Sequence, residues 1–352
     1  MSKSTCDKLV QEKKTAKQKP KIKLIVEPDD DSVKLVGTFN KDVKFPKPLL
    51  KWVGGKTQIL DKLLIEFPQQ INNYHEIFLG GGSVLLAVLA YVKAGVINIT
   101  GNICAYDLNE PLIYLYKNVQ TNHNELYDEI QKLISEYNEC SGTEKNFEPQ
   151  TIMEGKQSKE NYYYWTRQEY RKLTKLEKQS IIGSAMFLFI NKTCWRGVFR
   201  ENKDGEFNVP YGNYVNPEIV NKDHLDEVHT LLQGVIFECC DFAKSLDNIK
   251  TDDFIYLDPP YAPEKEKEKE KDKSFVSYTK DGFGIEQHNK LFDLCNKLCD
   301  ENKKMMMSNA DVNLVRHHFS KEKYNINSIL CKRHINSKNP ESKAKEVIIK
   351  NY

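Results

Sequence analysis

The chain of 352 residues holds 52 Lys and Arg against 50 Asp and Glu, for a formal net charge of +2, and 39% of its residues are hydrophobic. This composition is that of a soluble globular protein with one large domain and a smaller one, and the near-neutral charge neither favours nor excludes a nucleic-acid partner. No apolar run approaches about 18 residues and no signal-peptide core opens the chain, so a membrane span and secretion are not supported. The nine cysteines lack C-x-x-C spacing, so a zinc site and a disulfide framework are not supported either.

Charge is unevenly distributed at the start of the chain. Residues 1–23 contain eight Lys but only two acidic residues, Asp7 and Glu12, and they lack apolar periodicity. Since such a composition cannot bury a core, we predict a disordered basic arm over 1–44. The arm would attract phosphates without sequence preference. A solvated tail with no specific role explains the composition equally well.

A short apolar stretch with a glycine pair follows the arm. Residues 49–56 read Leu-Leu-Lys-Trp-Val-Gly-Gly-Lys and precede a predicted helix over 57–67. Glycines at such a turn let the backbone approach a ligand closely. The Gly-Lys-Thr at 55–57 is not a phosphate-binding loop, because that motif needs glycine where Leu50 stands.

The next segment has the order strand, glycine turn, helix. A strand is predicted over 74–78, a Leu-Gly-Gly-Gly-Ser turn occupies 79–83, and an apolar helix follows over 84–92. This order is the first half of a nucleotide-binding βαβ unit. A second strand over 101–106 delivers Asp107 about 25 residues after the turn, where a carboxylate would accept ribose hydroxyls. Capping of the next helix is the alternative role for this residue.

Two helices are predicted over 111–139, where apolar residues recur at helical spacing, and a polar linker over 138–160. The composition then changes over 161–216, which holds nine Lys and Arg, five Asp and Glu, and twelve Phe, Tyr and Trp. Cations interleaved with aromatic rings favour a nucleic-acid surface, although the apolar helix predicted over 181–189 must be core. Asp204-Gly205 predicts a hairpin whose flanking arginines could read guanine edges.

The most informative segment is 254–261. The apolar run Phe254–Leu257 predicts a buried parallel strand, and it stops at Asp258-Pro259-Pro260-Tyr261, where two prolines force the chain out of the sheet. A carboxylate, a proline carbonyl and an aromatic ring at a strand's carboxyl end suit a planar aromatic amine such as adenine N6 or cytosine N4. The carboxylate and the proline carbonyl can each accept one N–H proton of the amine, which frees the nitrogen lone pair for attack. The aromatic ring stacks on the base. A bare proline turn is the alternative for the tetrapeptide alone.

Six separated motifs occur in the order typical of one enzyme family. They are residues 51–56, residues 78–83, Asp107, residues 205–212, residues 258–261 and residues 346–352. On these motifs the chain resembles, over roughly residues 45–352, the Dam-type DNA adenine-N6 methyltransferases, which form the D12 class, have the α motif order and use S-adenosylmethionine.

The resemblance implies an α/β fold. It consists of a seven-stranded, Rossmann-like methyltransferase sheet with helices on both faces, plus an inserted, mainly helical DNA-recognition domain with a β-hairpin. The catalytic domain would comprise residues 45–140 and 217–352, and the linker and target-recognition domain residues 141–216.

The resemblance also implies the activity. It is methyl transfer from S-adenosylmethionine to adenine N6 in double-stranded DNA, within GATC, by base flipping and without a metal ion. The enzyme would be a monomer or weak dimer that does not contact membranes. It would work inside the cell with the DNA, in the cytoplasm or, for a virus, at the site of genome replication. A partner restriction endonuclease is compatible with this activity.

Residue roles follow, position by position, from the same resemblance. The catalytic residues are Asp258, Pro259 and Tyr261. The positions that contact the methyl donor are Trp52, Lys56, Phe78, Gly80, Asp107 and Asp258. The positions that contact DNA are Lys51, Trp195, Arg196, Val198, Arg200, Pro210 and Tyr214. Arg200 would read a guanine and Val198 with Pro210 would pack on pyrimidine methyls, whereas Arg196 departs from the family, which usually has a smaller polar residue there.

Two segments have no counterpart in the family pattern, the basic arm and residues 264–273. The latter alternate in charge directly after the proline tetrapeptide, so we predict a solvated loop at the mouth of the site. Arg333 and His334 lie in a polar loop and either touch the target nucleotide's phosphates or are ordinary surface residues.

Other functions stay open at this point. A cytosine-N4 methyltransferase would share the tetrapeptide and differ in its product, although residues 205–212 favour adenine. A catalytically inactive DNA-binding relative is the second alternative, and the intact motifs argue against it. Related methyltransferases that act on protein side-chain amides usually have Asn where this chain has Asp258.

Overall fold

The computed structural model describes residues 43–247, 249–263, 282–332 and 343–352. The predicted charged loop over 264–273, the Arg333–His334 pair and the predicted arm, except for its last two residues, lie outside these ranges. No helix within the described ranges is long and apolar enough to cross a membrane.

The described strands are β1 (Gln70–Ile71), β2 (Tyr74–Glu76), β3 (Asn98–Ile99), β4 (Ile103–Asp107), β5 (Val235–Cys239), β6 (Phe254–Leu257), β7 (Lys304–Ala310), β8 (Asn325–Lys332) and β9 (Lys343–Lys350). The described helices are α1 (Leu60–Ile65), α2 (Ser83–Lys93), α3 (Glu110–Glu139), α4 (Ile152–Gly155), α5 (Lys159–Lys172), α6 (Lys175–Gln179), α7 (Ile181–Thr193), α8 (Lys222–Leu231), α9 (Phe242–Leu246), α10 (Ile285–Asp300) and α11 (Asn313–His318).

Seven strands form the main sheet in the order β5-β4-β2-β6-β7-β9-β8, and β1 pairs with β3 in a small parallel sheet. Neighbours in the main sheet are parallel, except that β9 runs antiparallel to both β7 and β8. From β2 the chain moves outward to β4 and β5 and then returns to β6 on the other side of β2. In open α/β sheets such a reversal of strand order leaves a ligand-binding crevice at the carboxyl ends of the strands. Here it lies between β2 and β6.

The central strand β6 shows why the sheet is buried on both faces. Phe254 and Tyr256 belong to one core cluster and Ile255 and Leu257 to another, and all four are fully buried. Successive side chains of a strand point to opposite faces, so a continuous apolar run needs a cover on each side. Helices α2 and α3 contribute to the first cluster, and α9, α10 and α11 to the second. The predicted mostly parallel α/β sheet is confirmed.

Residues 141–216 contain α4 to α7 and a hairpin, and their buried aromatic side chains join the first core cluster. The chain reverses at Asp204-Gly205: Glu201 pairs antiparallel with Phe207, the N–H of Asn202 donates to the Glu206 carbonyl, and Gly205 has a φ of 78°. In α3, Asn122 has a φ of −138° and a ψ of 40°, so the helix is kinked into the two predicted segments.

Two expectations about local structure were wrong, and one strand was missed. The segment 138–160 is not free of helix, because Thr151 and Ser158 cap the first turns of α4 and α5 through their side chains. Helix α1 is shorter than the predicted 57–67, since residues 57–59 form a turn of their own before it. Strand β8 was not predicted, because its alternation is weak: Asn325, Asn327 and Ser328 are polar.

Candidate active site

One cavity of about 850 Å³ lies at the carboxyl ends of β2, β4, β5 and β6. All the residues predicted to be catalytic or to contact the methyl donor line it, namely Trp52, Lys56, Phe78, Gly80, Asp107, Asp258, Pro259 and Tyr261. These positions span more than 200 residues of sequence, from 52 to 261. The fold brings them together because parallel strands end at the same edge of a sheet.

The turn after β2 requires glycine because side chains from other parts of the chain lie very close to its backbone. A Cβ on Gly81 would lie 2.8 Å from the Cβ of Trp52, and a Cβ on Gly82 would lie 2.5 Å from the hydroxyl oxygen of Tyr116. Gly82 also has a φ of 71°, which side chains rarely allow. The turn is therefore pressed against Trp52 on one side and helix α3 on the other.

Asp107 holds this turn from the neighbouring strand. Its Oδ2 accepts the N–H of Gly80 at 2.9 Å and its Oδ1 accepts the N–H of Asn109 at 2.8 Å. Burial raises the pKa of Asp107, and these backbone donors lower it in part. The simple capping alternative for Asp107 was wrong, because the N-cap of α3 is Asn109, whose side chain accepts from Leu112 N.

The predicted catalytic carboxylate makes an ion pair. Lys56 Nζ lies 2.5 Å from Asp258 Oδ2, and it also donates to the Gly54 carbonyl at 2.7 Å. The same ammonium lies 4.9 Å from the centre of the Tyr261 ring. Lys56 itself is held by its own N–H, which donates to Ser83 Oγ at 3.1 Å.

The other oxygen of Asp258 has a different environment. Oδ1 is buried and has no hydrogen-bond partner within the part of the chain that the structure describes. Burial raises the pKa of Asp258 to about 6, with Lys56 acting to lower it and Glu346 to raise it. Buried acceptors in native proteins are almost always paired, so an unpaired oxygen on a residue that lines the cavity calls for a partner.

Sequence analysis missed Glu76, a carboxyl that lines the same cavity from β2. Glu76 is 2% exposed, and its Oε2 accepts the hydroxyl of Tyr74 at 2.8 Å. Burial raises its pKa to about 8, so we expect the protonated form to predominate at neutral pH. An acidic residue at the carboxyl end of a predicted parallel strand, three residues ahead of the glycine turn, was the available signal.

Sequence analysis also missed an aromatic wall that follows β5. Phe242 stacks on Phe78 at 5.9 Å between ring centres, and the Phe283 ring meets the Phe78 ring edge-on at 5.9 Å. All three line the cavity, together with Cys240 and Asp241. Their position directly after a parallel strand was the signal that could have found residues 240–242.

Most residues predicted to contact DNA lie outside the cavity in a second group. Lys51 Nζ lies 3.6 Å from the centre of the Tyr214 ring, and the Arg196 guanidinium lies 4.8 Å from the centre of the Trp195 ring. Trp195 N donates to the Pro210 carbonyl at 2.8 Å, and its side chain is 40% exposed. The structure thus brings these five residues together at one exposed surface.

Arg200 is held separately at the base of the hairpin. Its Nε donates to Asn208 Oδ1 at 2.7 Å and its Nη2 to the Asn208 carbonyl at 3.2 Å. The side of the hairpin that bears Asn208 is fixed at the next residue, because Tyr163 Oη and Arg167 Nη1 both donate to the Val209 carbonyl. One edge of the guanidinium is therefore used to orient it, and the Nη1 side is left for another partner.

Within the described ranges, no group of three or more His, Cys, Asp or Glu side chains could hold a metal ion.

The chain is similar to known proteins over most of its length. Residues 52–335 match the family model described as D12 class N6 adenine-specific DNA methyltransferase. The type II methyltransferase M.MjaIII of Methanocaldococcus jannaschii is 34% identical over 316 residues, which cover 87% of this chain and 99% of the relative. The DNA adenine methylase of Haemophilus influenzae is 29% identical over 300 residues (85% and 91% of the two chains), and that of Escherichia coli K12 is 26% identical over 286 residues (81% and 88%).

Glu76→Gln tests the protonated state of the buried carboxyl. The folded-state pKa of about 8 lies above the ordinary value of about 4.3, so between these values the folded protein binds a proton that the unfolded chain has released. The free energy of unfolding should therefore fall as pH rises from about 5 to about 8, and Glu76→Gln should flatten this dependence by up to about 1.4 kcal/mol per pH unit. Urea unfolding across that range measures it, with Glu125→Gln on the exposed face of α3 as control. An unchanged slope in Glu76→Gln would show that Glu76 is ionised in the folded protein.

Proposed function

Because the chain belongs to the D12 class of N6 adenine-specific DNA methyltransferases, we propose that it methylates adenine N6 in duplex DNA within GATC, after flipping the adenine out of the helix. The observation that carries the proposal is Asp258 Oδ1, a buried acceptor without a described partner at the edge of the cavity between β2 and β6. An acceptor in this position suits one N–H of an exocyclic amine.

The residues of the cavity fit S-adenosylmethionine as methyl donor. The turn at Gly80 and Gly81 brings the backbone to the edge of the cavity beside Trp52. The amino acid moiety and the ribose of the donor can bind against this backbone. Asp107 keeps lone pairs for ribose hydroxyls after accepting two backbone N–H groups. Phe78 and Phe242 supply aromatic surface for the donor's adenine. The donor supplies an electrophilic methyl group on a sulfonium.

The catalytic residues act on the amine of the target base. Asp258 Oδ1 and the Pro259 carbonyl accept its two N–H protons and draw the nitrogen toward tetrahedral geometry, so its lone pair points away from the ring plane. Lys56 holds the other oxygen of Asp258 and keeps the carboxylate ionised near neutral pH. Asp258 is also the adjacent acceptor for the proton that the methylated nitrogen releases.

Tyr261 replaces the stacking that the base loses when it leaves the duplex. Its ring borders the cavity beside Asp258. Stacking of a base on an aromatic side chain contributes about 1 to 3 kcal/mol. That amount is comparable to the few kcal/mol needed to unstack a base.

The GATC preference rests on Arg200, Val198 and the second group of residues. Arg200, oriented by Asn208, can present its free edge to the N7 and O6 of a guanine. Val198 and Pro210 supply apolar contacts for thymine methyl groups. Trp195, which is exposed, can enter the space left by the flipped base. Arg196 contacts the Trp195 ring, and Lys51 contacts the Tyr214 ring.

The alternatives are less well supported. The family description and the named relatives favour adenine over cytosine N4. An inactive DNA-binding relative would not need a carboxylate with a raised pKa beside a paired lysine.

Asp258→Ala should abolish methyl transfer and leave DNA affinity within a few-fold, because the residues proposed to read DNA lie outside the cavity. Transfer of tritiated methyl groups and filter binding measure the two quantities, and digestion to nucleosides identifies the product. Asp128→Ala, on the exposed face of α3, is the matched control. Transfer near the wild-type rate in Asp258→Ala would refute the catalytic assignment.

The pH dependence of kcat/KM should carry the signature of Asp258. Protonated Asp258 cannot polarise the amine through an ionised oxygen, so activity should fall as pH drops through about 6. In Lys56→Met this acid limb should move to higher pH, because Lys56 lowers the pKa of Asp258. A limb that stays in place without Lys56 would assign it to another group.

Arg200→Lys separates guanine reading from phosphate attraction. The lysine keeps the charge but loses the bidentate fork, so the preference at one base pair of the site should shrink by about 1 to 3 kcal/mol while the salt dependence of binding stays unchanged. Binding to a duplex with GATC and to its single-base variants at two salt concentrations measures both. Full selectivity in Arg200→Lys would refute the assignment.

A further inference from the structure

The hydroxyl of Tyr261 is tethered to the last strand of the sheet. It donates to Glu346 Oε2 at 2.7 Å, across 85 positions of sequence. Glu346 lies in β9, where it pairs with Ala310 of β7 and Ile329 of β8. The acceptor is therefore part of the sheet, held by a strand on each side.

The backbone after Tyr261 is anchored independently. The N–H of Ala262 donates to Asn309 Oδ1 at 3.0 Å, and Asn309 is a fully buried residue of β7. With the backbone anchored at Ala262 and the hydroxyl anchored at Glu346, the ring axis of Tyr261 has a defined direction. Without the hydroxyl contact, the ring could leave its rotamer and swing about χ1.

We infer that Glu346 is a positioning residue for the proposed methyl transfer, one that fixes the Tyr261 ring in the place where the target adenine stacks. This inference rests on the proposed function. Glu346 is not among the residues that line the cavity, so it acts through Tyr261 and through its charge. Misplacement of a bound group by about 1 Å can lower a rate about a hundredfold, so a rigid ring has a kinetic consequence.

The charge of Glu346 provides a second, separate readout. Burial raises the pKa of Asp258 first, and the negative charge of Glu346 raises it further. The charged and titratable groups that face Asp258 from the neighbouring elements are Lys56, Glu76, Tyr256, Tyr261 and Glu346. Removing the charge while keeping the acceptor should therefore move the acid limb of the pH profile to lower pH.

Three variants separate the tether from the charge. Tyr261→Phe removes the hydroxyl and keeps the ring, Glu346→Gln keeps an acceptor and removes the charge, and Glu346→Ala removes both. Glu238→Gln, an exposed carboxylate of the edge strand β5, is the matched control. The substrate is a GATC duplex with 2-aminopurine at the target position for fluorescence, and the natural duplex for kinetics.

Tyr261→Phe and Glu346→Ala should each lower kcat about tenfold and leave the KM for S-adenosylmethionine unchanged. Both variants should also raise the fluorescence of bound 2-aminopurine, because the base is less well stacked. The double variant Tyr261→Phe/Glu346→Ala should be no slower than the slower single variant, since both remove one contact. Glu346→Gln should keep the low fluorescence and shift the acid limb to lower pH, and Tyr261→Phe should not produce that downward shift.

Wild-type kcat and fluorescence in both Tyr261→Phe and Glu346→Ala would overturn the inference. Additive losses in the double variant would do the same. Thermal unfolding of each variant separates loss of fold from loss of position, and Tyr261→Phe keeps the test decisive if Glu346→Ala does not fold. Failure of the proposed function is seen separately, as an absence of N6-methyladenine in duplex DNA treated with the wild-type protein.

Discussion

The reversal of strand order between β2 and β6 is the constraint on which the whole site depends. It opens a crevice at the carboxyl ends of two neighbouring parallel strands, and the register Tyr74 to Phe254 and Glu76 to Tyr256 sets which residues reach it. A slip of one residue would turn the side chains of β6 to the opposite faces. The buried aromatic and aliphatic residues on both faces therefore specify the register, and the register sets where Asp258 emerges.

Three of the carboxyl groups that line this crevice, those of Glu76, Asp107 and Asp258, each avoid the penalty of burial in a different way. Asp107 accepts two backbone N–H groups, Asp258 pairs with Lys56, and Glu76 stays protonated and bonds to Tyr74. Burying an unpaired charge would be far more costly than any of these arrangements. Only Asp258 keeps an oxygen without a partner among the described residues, and that oxygen is the one the proposed chemistry uses.

Hydrogen bonds and a stacked aromatic pair connect the crevice to the surface proposed to read DNA. Asn191 exchanges two hydrogen bonds with the backbone of Lys51, and the ring of Trp52 stacks on Phe199 at 5.7 Å. Trp52 lines the cavity, and Phe199 is next to Arg200 in the chain. One aromatic pair thus lies between the proposed donor site and the arginine proposed to read guanine.

The sequence alone determined the elements whose signals are local. The apolar run ending at Asp258, the glycine turn at 79–83 and the Asp-Gly hairpin each depend on residues close in the chain, and their positions and types were predicted. Tertiary structure decided the pairings that join distant segments, namely Lys56 with Asp258 and Tyr261 with Glu346. It also decided the protonation of Glu76, because burial raises its pKa, and burial is a property of the packed sheet that a strand's own residues do not contain.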